Sequence, residues 1–227
     1  MTTVTRNTLE NIPCFSGIGP EVMAWVLGAL EERSFARGQV MIMEGDPWPG
    51  LFVLKSGSVK LYRNSPAGEE QIVRIIRKGG CFECAPLFDK GPSPVSAQAL
   101  EASEVHFLPA SDFQALMDAH PDAVLGIVSI LAMRLRSLLN MVEDFSFRPV
   151  ASRLAKLLLQ LVQDEGGVLV VSPSLPLSQQ DLACMLGCSR QLVNKSLRTM
   201  VRDSIIGMEG RRIVILKPGA IKEIGKS

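Results

Sequence analysis

The chain predicts an α+β fold in three parts: a β-roll over residues 1–121, a long helix over 122–147 and a winged helix-turn-helix over 148–227. Three patterns carry that reading. Short apolar runs broken by glycine turns give the roll, a sustained heptad repeat gives the long helix, and a capped helix pair followed by a hairpin gives the C-terminal part.

Taken in order, Gly19-Pro20 followed by EVMAWVLGALEE predicts an amphipathic helix with Pro20 in its first turn, where the N–H that proline lacks has no helical partner to lose. From about Phe35 to Phe113 the runs VMIM, LFVL, SVKLY and QIVRII alternate with turns bearing Gly38, Gly45, Gly50, Gly57, Gly68 and Gly79. Many short strands punctuated in this way predict a roll or barrel.

From about Asp122 to Phe145, the residues Val124, Val128, Leu131, Leu135, Leu138, Val142 and Phe145 are spaced 4, 3, 4, 3, 4, 3, which is an a/d seam. Leu125, Ile127, Ile130, Leu139 and Met141 lie off that seam. One flank is therefore expected to pack on the roll while the seam meets a second copy in a parallel homodimer. The competing reading is a helix buried wholly within its own domain, which so broad an apolar surface also allows.

Ser178 to Met200, SQQDLACMLGCSRQLVNKSLRTM, reads as a helix-turn-helix. Ser178 and Asp181 form a capping-box start, and Ala183, Gly187 and Val193 supply a small packing residue, a left-handed turn and a buried anchor. In the second helix Leu192, Val193, Leu197 and Met200 fall on one side, with Arg190, Gln191, Asn194, Lys195 and Arg198 on the other. After a polar break at Arg202 and Asp203, SIIGMEGRRIVIL reads as a hairpin turning at Glu209-Gly210-Arg211-Arg212. This is a wing with two arginines near its tip, placed to touch phosphates. An ordinary helical hairpin with a solvated charged side is the plainer alternative.

Charge separates the two ends. The whole chain of 227 residues carries a formal net charge of +1. Residues 1–145 hold 12 Lys or Arg against 17 Asp or Glu, a balance of −5, whereas residues 146–227 hold 12 against 6, a balance of +6. A basic domain joined to an acidic one is the electrostatic footprint of a nucleic-acid-binding module attached to a domain with another task. With 47% hydrophobic and 21% charged residues, the composition is that of a soluble protein. No apolar run is read as reaching the roughly 18 residues of a membrane span, and the opening MTTVTRNTLENIP lacks signal-peptide form. A cytoplasmic protein with no membrane partner is expected. Five cysteines, Cys14, Cys81, Cys84, Cys184 and Cys188, form an odd set and argue against a disulfide framework.

The glycine-rich roll, the long helix and the winged motif beginning SQQDLACMLGCSRQLVNKSL together resemble the CRP/FNR superfamily of bacterial transcription regulators over nearly the whole chain. The resemblance implies a cyclic-nucleotide-binding-like roll that senses an effector. It also implies a homodimer binding a palindromic operator in double-stranded DNA, and contact with RNA polymerase. Two recognition helices related by a two-fold axis would enter major grooves about one helical turn apart. Arg190, Gln191 and Lys195 match the family positions that commonly touch base edges, and an arginine at the first suits a bidentate contact to guanine O6 and N7. Cyclic-nucleotide-dependent members often carry Glu and Arg at the other two, so Gln191 and Lys195 depart from that pattern. Ser189, Asn194, Arg198, Arg211 and Arg212 are expected on phosphates.

Members that bind cyclic AMP place a glutamate on the ribose and, about ten residues later, an Arg-Ser pair on the cyclic phosphate. Here GCFECAPLFDKGPSPVSAQAL occupies that cassette: Glu83 matches the glutamate, while Ser93 and Pro94 stand where Arg and Ser belong. Neither replaces a forked cationic donor, and proline lacks even its N–H. The effector is therefore expected not to be cyclic AMP, leaving Glu83 as a structural hydrogen-bond acceptor. Cys81 and Cys84, as CFEC, are candidates for a reversible disulfide or soft metal ligation, with core packing as the alternative. Cys184 and Cys188 are expected to pack. His106 and His120 are the only possible histidine ligands for haem. The sequence identifies no cofactor and no dedicated metal site. With no nucleophile elbow, phosphate-binding loop or metal-binding histidine pair, it predicts no enzyme. A ligand-binding module without a transcriptional role is the alternative of another class.

Overall fold

The computed structural model describes residues 9–10, 12, 15, 18–82, 85–171, 177–210 and 212–226, with the side chains of 122 and 123 left aside. Cys14, Glu83, Cys84 and Arg211 fall outside these residues. The chain divides into two compact units, Met1–Ala67 with Ile72–Ser137, and Gly68–Gln71 with Leu138–Ser227.

The first unit opens with helix α1, Pro20–Ala29, with Pro20 at its start as expected. It stops earlier than the sequence suggested. Glu31 and Glu32 belong to strand β1, Glu31–Phe35, which pairs antiparallel with Ser103–Pro109. The β structure thus begins before Phe35, and it ends at Pro109; Phe113 lies on a helix, Ala110–Ala119. Numbered in chain order, the strands are β2 Val40–Ile42, β3 Gly50–Ser56, β4 Ser58–Asn64, β5 Glu70–Arg77, β6 Ser96–Ala99 and β7 Ser103–Pro109. They form antiparallel sheets ordered β1-β7-β3 and β2-β6-β4-β5. Apolar residues from both sheets close on one core, in which Phe52 stacks on Phe82 at 5.2 Å and meets Phe107 at 4.8 Å. The tight β3–β4 turn depends on Gly57: at φ 87°, a Cβ there would lie 2.6 Å from the Ala102 carbonyl oxygen.

A short helix, α2 Pro86–Asp89, lies between β5 and β6, and after β7 come α3 Ala110–Ala119 and the long helix α4, Asp122–Phe147. Near its start, Ile127 and Ile130 are buried in the roll core, and Val124 and Leu131 lean on it. Along the same helix Leu125, Val128, Leu135, Leu138, Leu139 and Val142 are exposed. Of the seven seam residues, Val124 and Leu131 therefore share their surface with their own core, whereas Val128, Leu135, Leu138 and Val142 stand open. Within Val124–Phe147 a stretch of 18 residues has a mean hydropathy of 1.5, so that by length and composition alone this helix is long and apolar enough to cross a membrane, contrary to the sequence expectation. Its polar side chains do other work: Arg134 donates to the Phe82 carbonyl at 2.7 Å.

In the second unit, α5 is Val150–Leu161; Leu154, Leu157, Leu158 and Leu161 recur at helical spacing and are buried. Next come the hairpin β8 Val162–Glu165 and β9 Val168–Val171, helices α6 Gln179–Leu186 and α7 Arg190–Arg202, strands β10 Ile206–Glu209 and β11 Arg212–Ile215, and helix α8 Pro218–Lys226. The wing is thus part of a four-stranded sheet ordered β10-β11-β9-β8.

A candidate nucleic-acid interface and a candidate effector cavity

The helix pair forms as its residues dictate. Ser178 Oγ accepts from the Asp181 N–H at 3.1 Å, and Asp181 Oδ2 accepts from the Ser178 N–H at 2.7 Å, which closes the capping box at the start of α6. Gly187 ends that helix in the left-handed region at φ 56°. Arg153 of α5 donates to the Leu186 carbonyl at 2.7 Å, satisfying the helix end. The same guanidinium lies 5.1 Å over the Phe145 ring. Phe145, the last residue of the heptad seam, thus has one contact inside its own unit and is still 40% exposed.

Ser189 caps α7 by accepting from the Leu192 N–H. Val193, Leu197 and Met200 are buried, at 0%, 4% and 2% exposure, and turn the helix so that its other side faces out. Leu192, placed with them by sequence, is 45% exposed, because it lies one residue, about 100° of rotation, from Val193. On the outward side Arg190, Gln191, Asn194, Lys195 and Arg198 line a groove of about 750 Å³, joined by Thr199 and Arg202. Four cations and no carboxylate appear among the described lining residues. Arg202, a polar break by sequence, is the last helical residue and continues the i, i+4 row Arg190, Asn194, Arg198. That periodicity was the available signal. Its Nε bonds the Asp203 carboxylate at 2.9 Å, and this bond holds Asp203 below the usual carboxylate range.

Among the described residues, Arg190, Lys195 and Arg198 have no hydrogen-bond or ion-pair partner. Arg212, on the wing, is different: its guanidinium is paired with Glu165 at the end of β8. Sequence reading missed Glu165 because it reaches the wing only through sheet assembly. Asn194 is also held, its Nδ2 donating to Gln179 Oε1 at 3.1 Å.

In the first unit, β5, the following turn and α4 line an open cavity of about 600 Å³ whose walls include Arg74, Arg77, Lys78, Cys81, Ile130 and Arg134. Two guanidinium groups clamp the backbone at its edge: Arg74 donates to the Cys81 carbonyl at 2.8 Å, and Arg134 to the Phe82 carbonyl. Cys81 is half-buried, with its Sγ 3.9 Å from Arg134 Nη2. The other residues predicted for this site, Glu83 and Cys84, lie outside the described residues. Arg74 and Arg134 carried no sequence signal, because a strand and a helix far apart in the chain bring them together.

Ser93 is buried, and its hydroxyl donates to the Val95 carbonyl, while Pro94 is exposed. His106 is buried in the β1-β7-β3 sheet, Nδ1 3.9 Å from Glu32 Oε1, and burial pushes its imidazole below its usual value of 6.5. His120 follows the end of α3. In the helix-turn-helix, Cys184 is buried and Cys188 half-buried. Burial pushes the Cys188 thiol up, which disfavours the reactive thiolate.

Residues 32–120 match the family described as cyclic nucleotide-binding domain, and residues 152–224 match the Crp-like helix-turn-helix domain. The chain is 32% identical over 205 residues to a CRP-like cAMP-activated global transcriptional regulator of Mycobacterium tuberculosis, covering 88% of this chain and 91% of that protein. It is 26% identical to the cyclic AMP receptor protein of Thermus thermophilus, covering 95% and 98%. The fold is like that of FixK2 from Bradyrhizobium japonicum, with a TM-score of 0.77 at 20% identity over 86% of this chain and 96% of that one.

Proposed function

The chain belongs to the CRP/FNR superfamily of DNA-binding transcription regulators, and from that premise we propose that two copies pair along α4 and read a palindromic operator with their α7 helices. The observation that carries this reading is the outward face of α7, where Arg190, Lys195 and Arg198 stand without partners opposite a buried apolar row. Arg190, Gln191 and Lys195 read base edges, and Ser189, Asn194, Arg198, Arg211 and Arg212 hold phosphates. The exposed stripe Val128, Leu135, Leu138 and Val142 supports the homodimer, since apolar surface of this extent is stable in water only when covered. The dimer works in the cytoplasm, apart from any membrane, and contacts RNA polymerase from its operator. It is a binding protein and carries out no catalysis.

The effector enters the cavity beside Cys81 and α4 and is not cyclic AMP. Where a cyclic phosphate would need a forked cation, Ser93 has already spent its hydroxyl on Val95, and Pro94 has no N–H to give. The signal is a small organic ligand, a thiol or metal event at Cys81 and Cys84, or a haem-bound gas. Cyclic AMP is the second reading, supported by the name of the Mycobacterium tuberculosis relative.

The test is fluorescence anisotropy of the full chain on a duplex it enriches from a randomised pool, at two salt concentrations, with and without cyclic AMP, and under reducing and oxidising conditions. Affinity for the enriched duplex is expected to fall steeply with salt, because each neutralised phosphate releases counterions. Cyclic AMP is expected to change it by less than about twofold, against the roughly 5- to 150-fold of a typical allosteric effector. Failure to enrich any duplex would overturn the regulator reading; a large response to cyclic AMP would overturn only the effector assignment. A tenfold response to oxidation, about 1.4 kcal/mol, that vanishes in the Cys81→Ser, Cys84→Ser variant would identify a thiol sensor.

A further inference from the structure

The first residue of α6 and the middle of α7 are joined by a hydrogen bond from Asn194 Nδ2 to Gln179 Oε1 at 3.1 Å. Both side chains are half-buried. They share the wall of a cavity of about 450 Å³ with Arg198 and Arg202. Of the two, Asn194 alone also lines the larger groove on the outward face of α7.

An amide side chain brings one carbonyl acceptor and two N–H donors. With Gln179 presenting Oε1, committing one Asn194 N–H to it decides which end of the Asn194 amide is which. Oδ1 and the second N–H are left for the groove, and in that order they complement the N6 and N7 edge of adenine. The same bond occupies the Gln179 carbonyl and leaves its NH₂ group to donate. Gln179 is the first residue of α6, where the backbone N–H groups that the capping box does not use favour an anion. In a helix-turn-helix this first helix is the one that crosses the phosphate backbone.

We infer that Gln179 is a positioning residue for sequence readout: its carbonyl holds the Asn194 amide in a base-reading orientation while its own N–H groups dock on an operator phosphate. The inference rests on the regulator reading and moves Asn194 from the phosphates to a base edge. Released from Gln179, the Asn194 amide is free to turn over and present its donor and acceptor reversed, so discrimination falls even though Asn194 is still present.

The test compares the full-length wild type with Gln179→Leu, Gln179→Glu, Asn194→Ala and the Gln179→Leu, Asn194→Ala pair, on the wild-type-enriched duplex and on a scrambled duplex of equal composition. Gln179→Leu is expected to lower the enriched-to-scrambled affinity ratio by about tenfold, and Asn194→Ala by as much, with no further loss of ratio in the pair. Gln179→Glu keeps an acceptor for Asn194 but sets a negative charge against the phosphate. It should hold the ratio within about twofold while weakening both duplexes alike. A purely structural role for Gln179 would lower the thermal midpoint and both affinities together, without rescue by Glu. An unchanged ratio in Gln179→Leu, or a ratio lost as fully in Gln179→Glu, overturns the inference while the wild type's enrichment leaves the regulator reading intact. A wild type that enriches nothing overturns both.

Discussion

Two arginine-bearing surfaces of this molecule use the same charge in opposite ways. On α7, Arg190, Lys195 and Arg198 line an open groove with no partner among the described residues. Beside the roll cavity, Arg74 and Arg134 are fixed on the Cys81 and Phe82 carbonyls. A guanidinium bound to backbone carbonyls orders a segment, and its donors are in part already used. A cation held over a buried apolar row, with nothing beside it, is available to a polyanion. Count of basic residues therefore says less about function than where their donors go.

The largest expected effect breaks the contrast from the roll side. Arg134→Met removes a charged donor from two part-buried carbonyls and should destabilise the first unit by about 1.5–3 kcal/mol, read as a lower urea midpoint. Its dependence of DNA binding on salt should stay that of the wild type. If stability is unmoved and the salt slope falls, Arg134 belongs with the cations proposed to meet DNA.

Next, Arg190→Ala should leave the urea midpoint within about 0.5 kcal/mol, as an exposed substitution does. It should cost about 1–3 kcal/mol on the enriched duplex and little on a scrambled one. Equal losses on both duplexes would reassign Arg190 to the phosphates.

A smaller effect comes from His106, near the exposed pair Glu32 and Lys55 and beside Glu104. Its folded value is lowered, chiefly by burial, so between that value and 6.5 the unfolded chain binds the proton that the folded chain refuses. Its contribution is complete above about pH 6.5 and is lost as pH falls below it. The thermal midpoint of the first unit should drop over that range, and His106→Gln should flatten the drop.

The smallest effect concerns the wing. Arg212 is half-exposed and paired with Glu165, an arrangement worth about 0–1 kcal/mol. Glu165→Gln should free the guanidinium and tighten all duplexes by up to about fivefold, equivalent to that energy. Arg212→Ala should weaken all duplexes about equally. A gain confined to the enriched duplex would mean that Arg212 reads sequence.

The sequence by itself determined the outward basic face of α7 and the apolar character of the long helix, because both follow from helical periodicity. Once Val193, Leu197 and Met200 are apolar, the angle of 100° per residue sends Arg190, Lys195 and Arg198 outward whatever else the chain does. The capping box at Ser178 and the left-handed Gly187 are equally local, each needing only its neighbours in the chain. Periodicity was misread at its margins, with Leu192 placed inside and Arg202 outside the helix, because flanking positions are decided by which neighbour covers them. Only the tertiary structure decided the rest. That Arg134 grips the Phe82 carbonyl, that Glu165 holds Arg212 across 47 residues, and that Gln179 orients Asn194 all depend on how separate elements cross. Crossing geometry is set by the packing of whole faces against one another, and no short window of sequence contains both sides of that contact.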